Sequence, residues 1–145
     1  MSKPIPIFLA EENSGDVELV REALQEHHIV YHLQVASDGA EVKGYLARLG
    51  SDPGTACPDL VLMDLNLPKA HGFELFELFR ANRLCARTPV IVVTSSSAPK
   101  DLERAVALGA ARYFRKPSEL SEYLQLGSLI REVVEESGLP PSFER

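Results

Sequence analysis

No apolar run in this sequence approaches the ~20 residues that a membrane-spanning helix requires. Runs such as Pro89 to Thr94 are only the length of a strand. The opening Met-Ser-Lys-Pro-Ile-Pro-Ile lacks the long apolar core and small-residue cleavage site of a secretory signal. Membrane insertion is therefore not expected, and the cytoplasm is the expected location. Basic runs are also missing. Fifteen Lys and Arg stand against 21 Asp and Glu, for a net charge of −6, with no block of five basic residues. Direct binding to nucleic acid is disfavoured on that balance. Cysteine is scarce: Cys57 and Cys85 form no CxxC or CxxH pattern and read as two reduced thiols. His27, His28, His32 and His71 show no metal-ligand spacing, since His28 and His32 would need to share a helix and Ile29-Val30-Tyr31 reads as strand. A structural zinc site is not expected.

What is present is a regular alternation. Short apolar runs at Ile5 to Ala10, Val30 to Ala36, Leu60 to Met63, Val90 to Thr94 and Ala111 to Phe114 read as strands. Several are apolar on both faces, as strands of a doubly covered parallel sheet are. Amphipathic stretches lie between them. Val17, Val20 and Leu24 share one helix face, with Ser14 or Asp16 able to cap it. A third helix is expected over about His71 to Asn82 and a fourth over about Pro99 to Leu108, with Gly109 as its C-terminal stop. Gly50 to Pro58 reads as a long exposed loop. The pattern is α/β, (βα)₅, and right-handed crossovers make a doubly wound sheet its natural solution. The last helix is expected from about Ser118 to Glu136 as one extended element. Leu120, Tyr123, Leu124, Gly127, Ile130 and Val134 form its sheet-facing side, and Leu126, Leu129 and Val133 a second stripe. That stripe either lies under the tail Leu139 to Phe143 or serves as a homodimer surface.

In an open α/β sheet the ligand site lies at the carboxyl ends of the strands. Here those ends carry Glu11 and Glu12 after the first strand, Asp64 after the third, Thr94-Ser-Ser-Ser97 at the fourth and Lys116-Pro117 after the fifth. Three carboxylates brought together repel, and a hard divalent cation with oxygen ligands relieves this; Mg²⁺ suits a shallow site. Asp64, flanked by apolar residues, is placed as a nucleophile toward a phosphoryl group. Lys116 and the Thr94 hydroxyl would steady the phosphate oxygens.

At these residues the sequence resembles the CheY-like receiver domain of bacterial two-component response regulators, over about Ile5 to Glu136. The marks are Glu11-Glu12, Leu62-Met-Asp64-Leu-Asn-Leu-Pro68, Gly72, Thr94 and Tyr113-Phe-Arg-Lys116-Pro117. The Glu-Glu-Asn-Ser-Gly-Asp-Val opening, the loop from Gly50 to Pro58 and the long last helix resemble stand-alone regulators that serve phytochrome-type and other sensor histidine kinases. The resemblance implies a flavodoxin-like sandwich with strand order 2-1-3-4-5, filled by one receiver domain (core about 5–136, tail 137–145) without an output domain. It implies Asp64 as phosphoacceptor, and Mg²⁺ held by Glu11, Glu12, Asp64 and the backbone carbonyl of Asn66. Lys116 would contact the phosphoryl group, and Thr94 with Tyr113 would form the conformational switch. The partner would be a sensor histidine kinase or a phosphotransfer protein. Such a chain is not an enzyme beyond its own phosphorylation and dephosphorylation.

Glu12 departs from the family, which commonly has Asp there; the extra methylene moves the carboxylate outward by about 1.5 Å, against the near-octahedral demands of Mg²⁺. His71 precedes Gly72 where Asp is frequent, and reads as an exposed helix-start residue. A haloacid-dehalogenase-type phosphatase would need Asp two residues after the nucleophile, where Asn66 stands. A flavodoxin-like cofactor site would need a phosphate-cradling first loop, where Glu11-Glu12 stands. A pseudo-receiver that binds partners without phosphorylation is the third alternative, motivated by the Glu-Glu pair.

Overall fold

The computed structural model describes residues 3–138. Strands β1 (Ile5–Ala10), β2 (Tyr31–Ala36), β3 (Leu60–Met63), β4 (Val90–Thr94) and β5 (Arg112–Arg115) form one parallel sheet in the order β2-β1-β3-β4-β5. Helices α1 (Ser14–Glu26), α2 (Gly39–Arg48), α3 (Gly72–Ala81), α4 (Pro99–Ala107), α5 (Leu120–Tyr123) and α6 (Leu126–Glu136) cover it. The alternation of strand side chains divides the core in two. Ile7, Leu9, Leu62, Ile91 and Val93 face α1, α5 and α6, whereas Phe8, Val61, Met63, Val90 and Val92 face α2 and α3. The expected fold class and strand order are both present.

Local chemistry sets the helix ends. Asn13, not Ser14 or Asp16, caps α1, its Oδ1 accepting from the Asp16 N–H at 3.0 Å. His71 caps α3 through Nδ1, which accepts from the Phe73 N–H at 3.2 Å. Gly109 stops α4 at φ +83°, a left-handed conformation that glycine adopts without strain. The second strand begins at Tyr31 instead of Val30, and the fifth is displaced by one residue, to Arg112–Arg115.

The last helix is two helices. Around residues 124–125 the chain makes i→i−3 bonds, from Gln125 N–H to Glu122 O, Gly127 N–H to Leu124 O and Ser128 N–H to Gln125 O. Such a tight turn advances ~120° per residue instead of ~100°, which swings α6 about its axis relative to α5. Leu120 consequently lies exposed, while Leu126 and Val133 are buried with Ile130 and Val134. Leu129 is partly buried against the same cluster. The expected second stripe is therefore corrected: it belongs to the chain's own core. Exposing Leu126 and Val133 would forfeit about 1.5–3 kcal/mol each, which removes the reason to read them as a homodimer face. The tail proposed to cover them, Leu139 to Phe143, lies outside the described residues.

The cysteines also differ from expectation. Cys57 and Cys85 form a disulfide across a Cα–Cα distance of 5.7 Å. It ties the segment before β3 to the loop after α3, and the Tyr45 hydroxyl donates to the Ala56 carbonyl beside it. Spacing along the chain carried no sign of the pairing, because only the fold brings the two segments together.

Candidate functional site

The sheet register delivers the site. Ala10 pairs with Met63, so Glu11 and Asp64 leave neighbouring strands at the same level, and the Asp64 N–H donates to the Ala10 carbonyl at 3.0 Å. Thr94 ends β4, and its carbonyl accepts from the Lys116 N–H at 2.7 Å, which fixes where the Lys116 side chain departs. Gly72 packs against the turn after Asp64. A Cβ there would lie 2.6 Å from Leu65 Cα and collide with the Asp64 carbonyl. Only glycine allows α3 to start so close beneath that turn.

The Lys116 ammonium is the centre of the arrangement. Its Nζ lies 2.6 Å from Glu11 Oε1, 2.9 Å from Asp16 Oδ2 and 2.9 Å from Asp64 Oδ2. Glu11 and Asp64 are 2% and 5% exposed, so these are contacts with little solvent screening. The remaining oxygens take backbone donors: Glu11 Oε2 accepts from Asn13 N–H at 3.2 Å, and Asp64 Oδ1 from Asn66 N–H at 3.1 Å. Burial pushes the Glu11 carboxyl up to about 7; the Lys116 hydrogen bond opposes this and the charge of Asp64 adds to it. Burial pulls the Lys116 ammonium down, but the hydrogen bonds to Glu11, Asp16 and Asp64 outweigh it and the net shift is upward.

Asp64, Glu11 and Lys116 thus meet, as the sequence reading placed them. Glu12 does not join them: it is exposed, and Asp16 stands on the ammonium instead. Asp16 was read only as a helix-start residue. Its signals were a position in the first turn of α1, four residues after the acidic pair, and a place in the Glu-Glu-Asn-Ser-Gly-Asp-Val opening. Among the described residues no three Asp, Glu, His or Cys side chains are grouped to hold a metal ion. The converging oxygens are hard donors of the kind Mg²⁺ takes, and they hold a cation already, the ammonium. Asn66 is exposed beside Asp64.

Thr94 is fully buried, and its Oγ1 accepts from the Ser96 N–H at 3.3 Å. Tyr113 donates its hydroxyl to the Ser96 carbonyl at 2.9 Å, and Ser96 Oγ donates to Asp101 Oδ2 at 2.5 Å. Ser96 therefore joins the two expected switch residues to the first turn of α4, a connection the sequence did not suggest. Burial raises the Tyr113 phenol, with the Ser96 hydrogen bond opposing.

The response regulator receiver domain profile matches residues 7–126. Response regulator Rcp1 of Synechocystis sp. is 31% identical over 123 residues, covering 85% of this chain and 84% of that protein. The phosphorylated cyanobacterial phytochrome response regulator RcpA superposes with a TM-score of 0.82 at 31% identity, covering 97% of this chain and all of the other. The bacteriophytochrome response regulator AtBRR gives a TM-score of 0.73 at 30% identity, covering 99% of each chain. A solved form of Rcp1 carries Mn²⁺; it is 28% identical, with a TM-score of 0.78, and covers 98% of this chain and all of the other. With the carboxylate-ended strands, the Lys116 centre and this span of similarity, the chain belongs to the response regulator receiver domain family.

Proposed function

We propose that this chain is a single-domain response regulator that takes a phosphoryl group from a histidine kinase onto Asp64. The observation that carries the reading is the Asp64 carboxylate, buried at the end of β3 and held 2.9 Å from the Lys116 ammonium beside Glu11. An Asp64 oxygen attacks phosphorus, the P–N bond of the phosphohistidine breaks, and its electron pair returns to the imidazole nitrogen. Lys116 balances the charge on the phosphoryl oxygens, and most of the remaining task is alignment. Glu11, Asp64 and the Asn66 carbonyl, with Glu12 at the rim, are the residues that would hold Mg²⁺. When bound, the cation supplies the neutralisation that phosphoryl transfer requires.

Thr94 and Tyr113 are the proposed switch. A phosphoryl oxygen draws the Thr94 hydroxyl from its bond with the Ser96 N–H, and Tyr113 follows through the Ser96 carbonyl. The β4–α4 loop then takes up a second arrangement, a population shift driven by new contacts at the phosphate. Output is by protein contact or by returning the phosphoryl group to a phosphotransfer histidine. A phytochrome-type kinase is the favoured partner, since phytochrome response regulators recur among the structural relatives. The net charge of −6 speaks against a nucleic-acid partner, and no described helix is long and apolar enough to cross a membrane. We place the protein in the cytoplasm, as a receiver core over about 5–136.

Incubation with Mg²⁺ and acetyl phosphate tests the reading: the wild type should gain one phosphoryl group and Asp64→Asn none. No uptake at any Mg²⁺ concentration would favour a phosphorylation-independent binding module, the alternative that the exposed position of Glu12 supports.

A further inference from the structure

Cys57 and Cys85 stand 28 residues apart, and the bond between them closes a loop around the phosphoacceptor unit. Inside that loop lie all of β3, Asp64, Asn66, Gly72 and all of α3. The two sulfurs are not equivalent. Cys85 is fully buried in the core that faces α2 and α3. Cys57 is half-buried and lines an open groove of about 470 Å³ with Gly50, Ser51, Pro53, Thr55 and Leu84. Asp52, in the same wall, accepts from the Gly54 N–H and the Thr55 hydroxyl, both at 2.9 Å, which holds the groove in shape. Leu84, next to Cys85 in the chain and 56% exposed, gives the groove an apolar lip.

In the cytoplasm, where the chain is placed above, reductants keep thiols reduced, and the disulfides that form there are typically transient and redox-sensing. We propose that Cys57 is the entry point of a thiol–disulfide exchange site, reduced by a dithiol oxidoreductase seated in this groove, and that the bridge tunes the Asp64 site. The proposal rests on the cytoplasmic placement and, for its effect at Asp64, on the proposed phosphorylation. A thiolate of the partner attacks Cys57 Sγ. A new S–S bond forms, the Cys57–Cys85 bond breaks, and its electron pair leaves on Cys85 Sγ, which takes up a proton. The partner's second thiolate then attacks its own sulfur in the mixed disulfide, and Cys57 leaves and is protonated. The bridge gains two electrons and two protons, and the dithiol becomes a disulfide. A monothiol would not complete this. Cys85 stays beside Cys57, with the two Cα atoms 5.7 Å apart in the bridged fold, and would expel a single thiol by returning to Cys57. Reduction unties the entry of β3 from the exit of α3. The turn from Asp64 to Gly72 then has more freedom to lose when a phosphoryl group and Mg²⁺ order it.

Mixing the purified, bridged protein with a thioredoxin whose second active-site cysteine is replaced by serine tests the site, wherever the protein resides. A covalent complex should form, and peptide mass spectrometry should place the mixed disulfide on Cys57. Linkage at Cys85, or no complex, would overturn the proposal. Dithiothreitol should open the bridge at a rate unchanged by low urea, because the sulfur is reached in the folded protein. A rate that climbs steeply with urea would mean that unfolding must come first, and would overturn it equally. Glutathione at the same thiol concentration should leave the bridge closed; reduction as complete as that by dithiothreitol would refute the assignment to a dithiol. With Mg²⁺, the reduced protein should bind beryllium fluoride about fivefold more weakly than the bridged protein, at the low end of coupling between distant sites. Equal affinity would overturn the tuning of Asp64. Failure of both forms to bind the fluoride would refute the phosphorylation reading, while the trapped complex still decides the exchange site at Cys57.

Discussion

Replacing Lys116 by methionine keeps most of the aliphatic stem and removes the charge. Glu11, Asp16 and Asp64 would then face one another without the ammonium that now lies 2.6, 2.9 and 2.9 Å from them. The Lys116 side chain is 12% exposed, so water has little room to replace it. Removing one partner of a buried ion pair costs about 3–5 kcal/mol. Asp16, at 24% exposure, is partly screened and adds least. For a chain of this size each kcal/mol moves the melting temperature by about 2–4 °C, so the variant should melt about 6–20 °C lower in metal-free buffer at neutral pH. Two titrations identify the cause. Millimolar Mg²⁺ should restore much of the loss, because a divalent cation can take the same oxygens and stabilises the state that binds it. Acid should narrow the gap as well. Burial raises Glu11 in the folded protein from 4.5 to about 7 even with Lys116 present. A raised carboxyl binds its proton more tightly when folded, so it costs stability as pH rises through that window. Without the opposing ammonium the deficit of Lys116→Met should grow from about pH 5 to about pH 8. Calorimetry reads both effects. A variant as stable as the wild type, or a deficit indifferent to Mg²⁺ and pH, would refute the assignment of Lys116 as the counter-charge of the cluster.

Gly72→Ala should destabilise by about 3 kcal/mol or more, since the added methyl meets backbone atoms that cannot yield; urea unfolding measures it, and the Asn66 amide resonance should shift with the displaced turn. The Cys57–Cys85 bond spans 28 residues, a loop for which chain entropy gives about 3–4 kcal/mol. Thiol titration of the untreated protein should find no free cysteine, and a dithiol reductant should lower the urea midpoint accordingly. Asp38 caps α2, and the Glu41 N–H holds its carboxyl below the usual value of 3.8. A depressed carboxyl stabilises above its unfolded pKa, so Asp38→Ala should melt lower at neutral pH and match the wild type once pH falls well below 3.8.

The sheet was legible because its strands are short, apolar and bounded by turn residues, and β1, β3 and β4 have the bounds read from sequence. The site was legible in type and order: a carboxylate, a hydroxyl and a lysine at strand ends can be placed on one edge by α/β topology alone. Side-chain partnership was not. Glu12 and Asp16 are both acidic residues near the end of β1, and only the path of α1 decides that Asp16 reaches Lys116 while Glu12 faces solvent. Helical periodicity likewise assumes an unbroken helix, so the tight turn at 124–125 leaves Leu120 exposed and brings Leu126 and Val133 into the core beside Ile130 and Val134. The disulfide lay beyond reach for a similar reason, since it depends on where two loops meet in space.

The most direct test of the phosphoacceptor assignment is to treat the protein with Mg²⁺ and acetyl phosphate, trap the acyl phosphate with borohydride, and locate the reduced residue by peptide mass spectrometry. The reduced residue should be Asp64 alone, and its yield should collapse in Lys116→Met. Trapping at another carboxylate, or none in the wild type, would contradict the account.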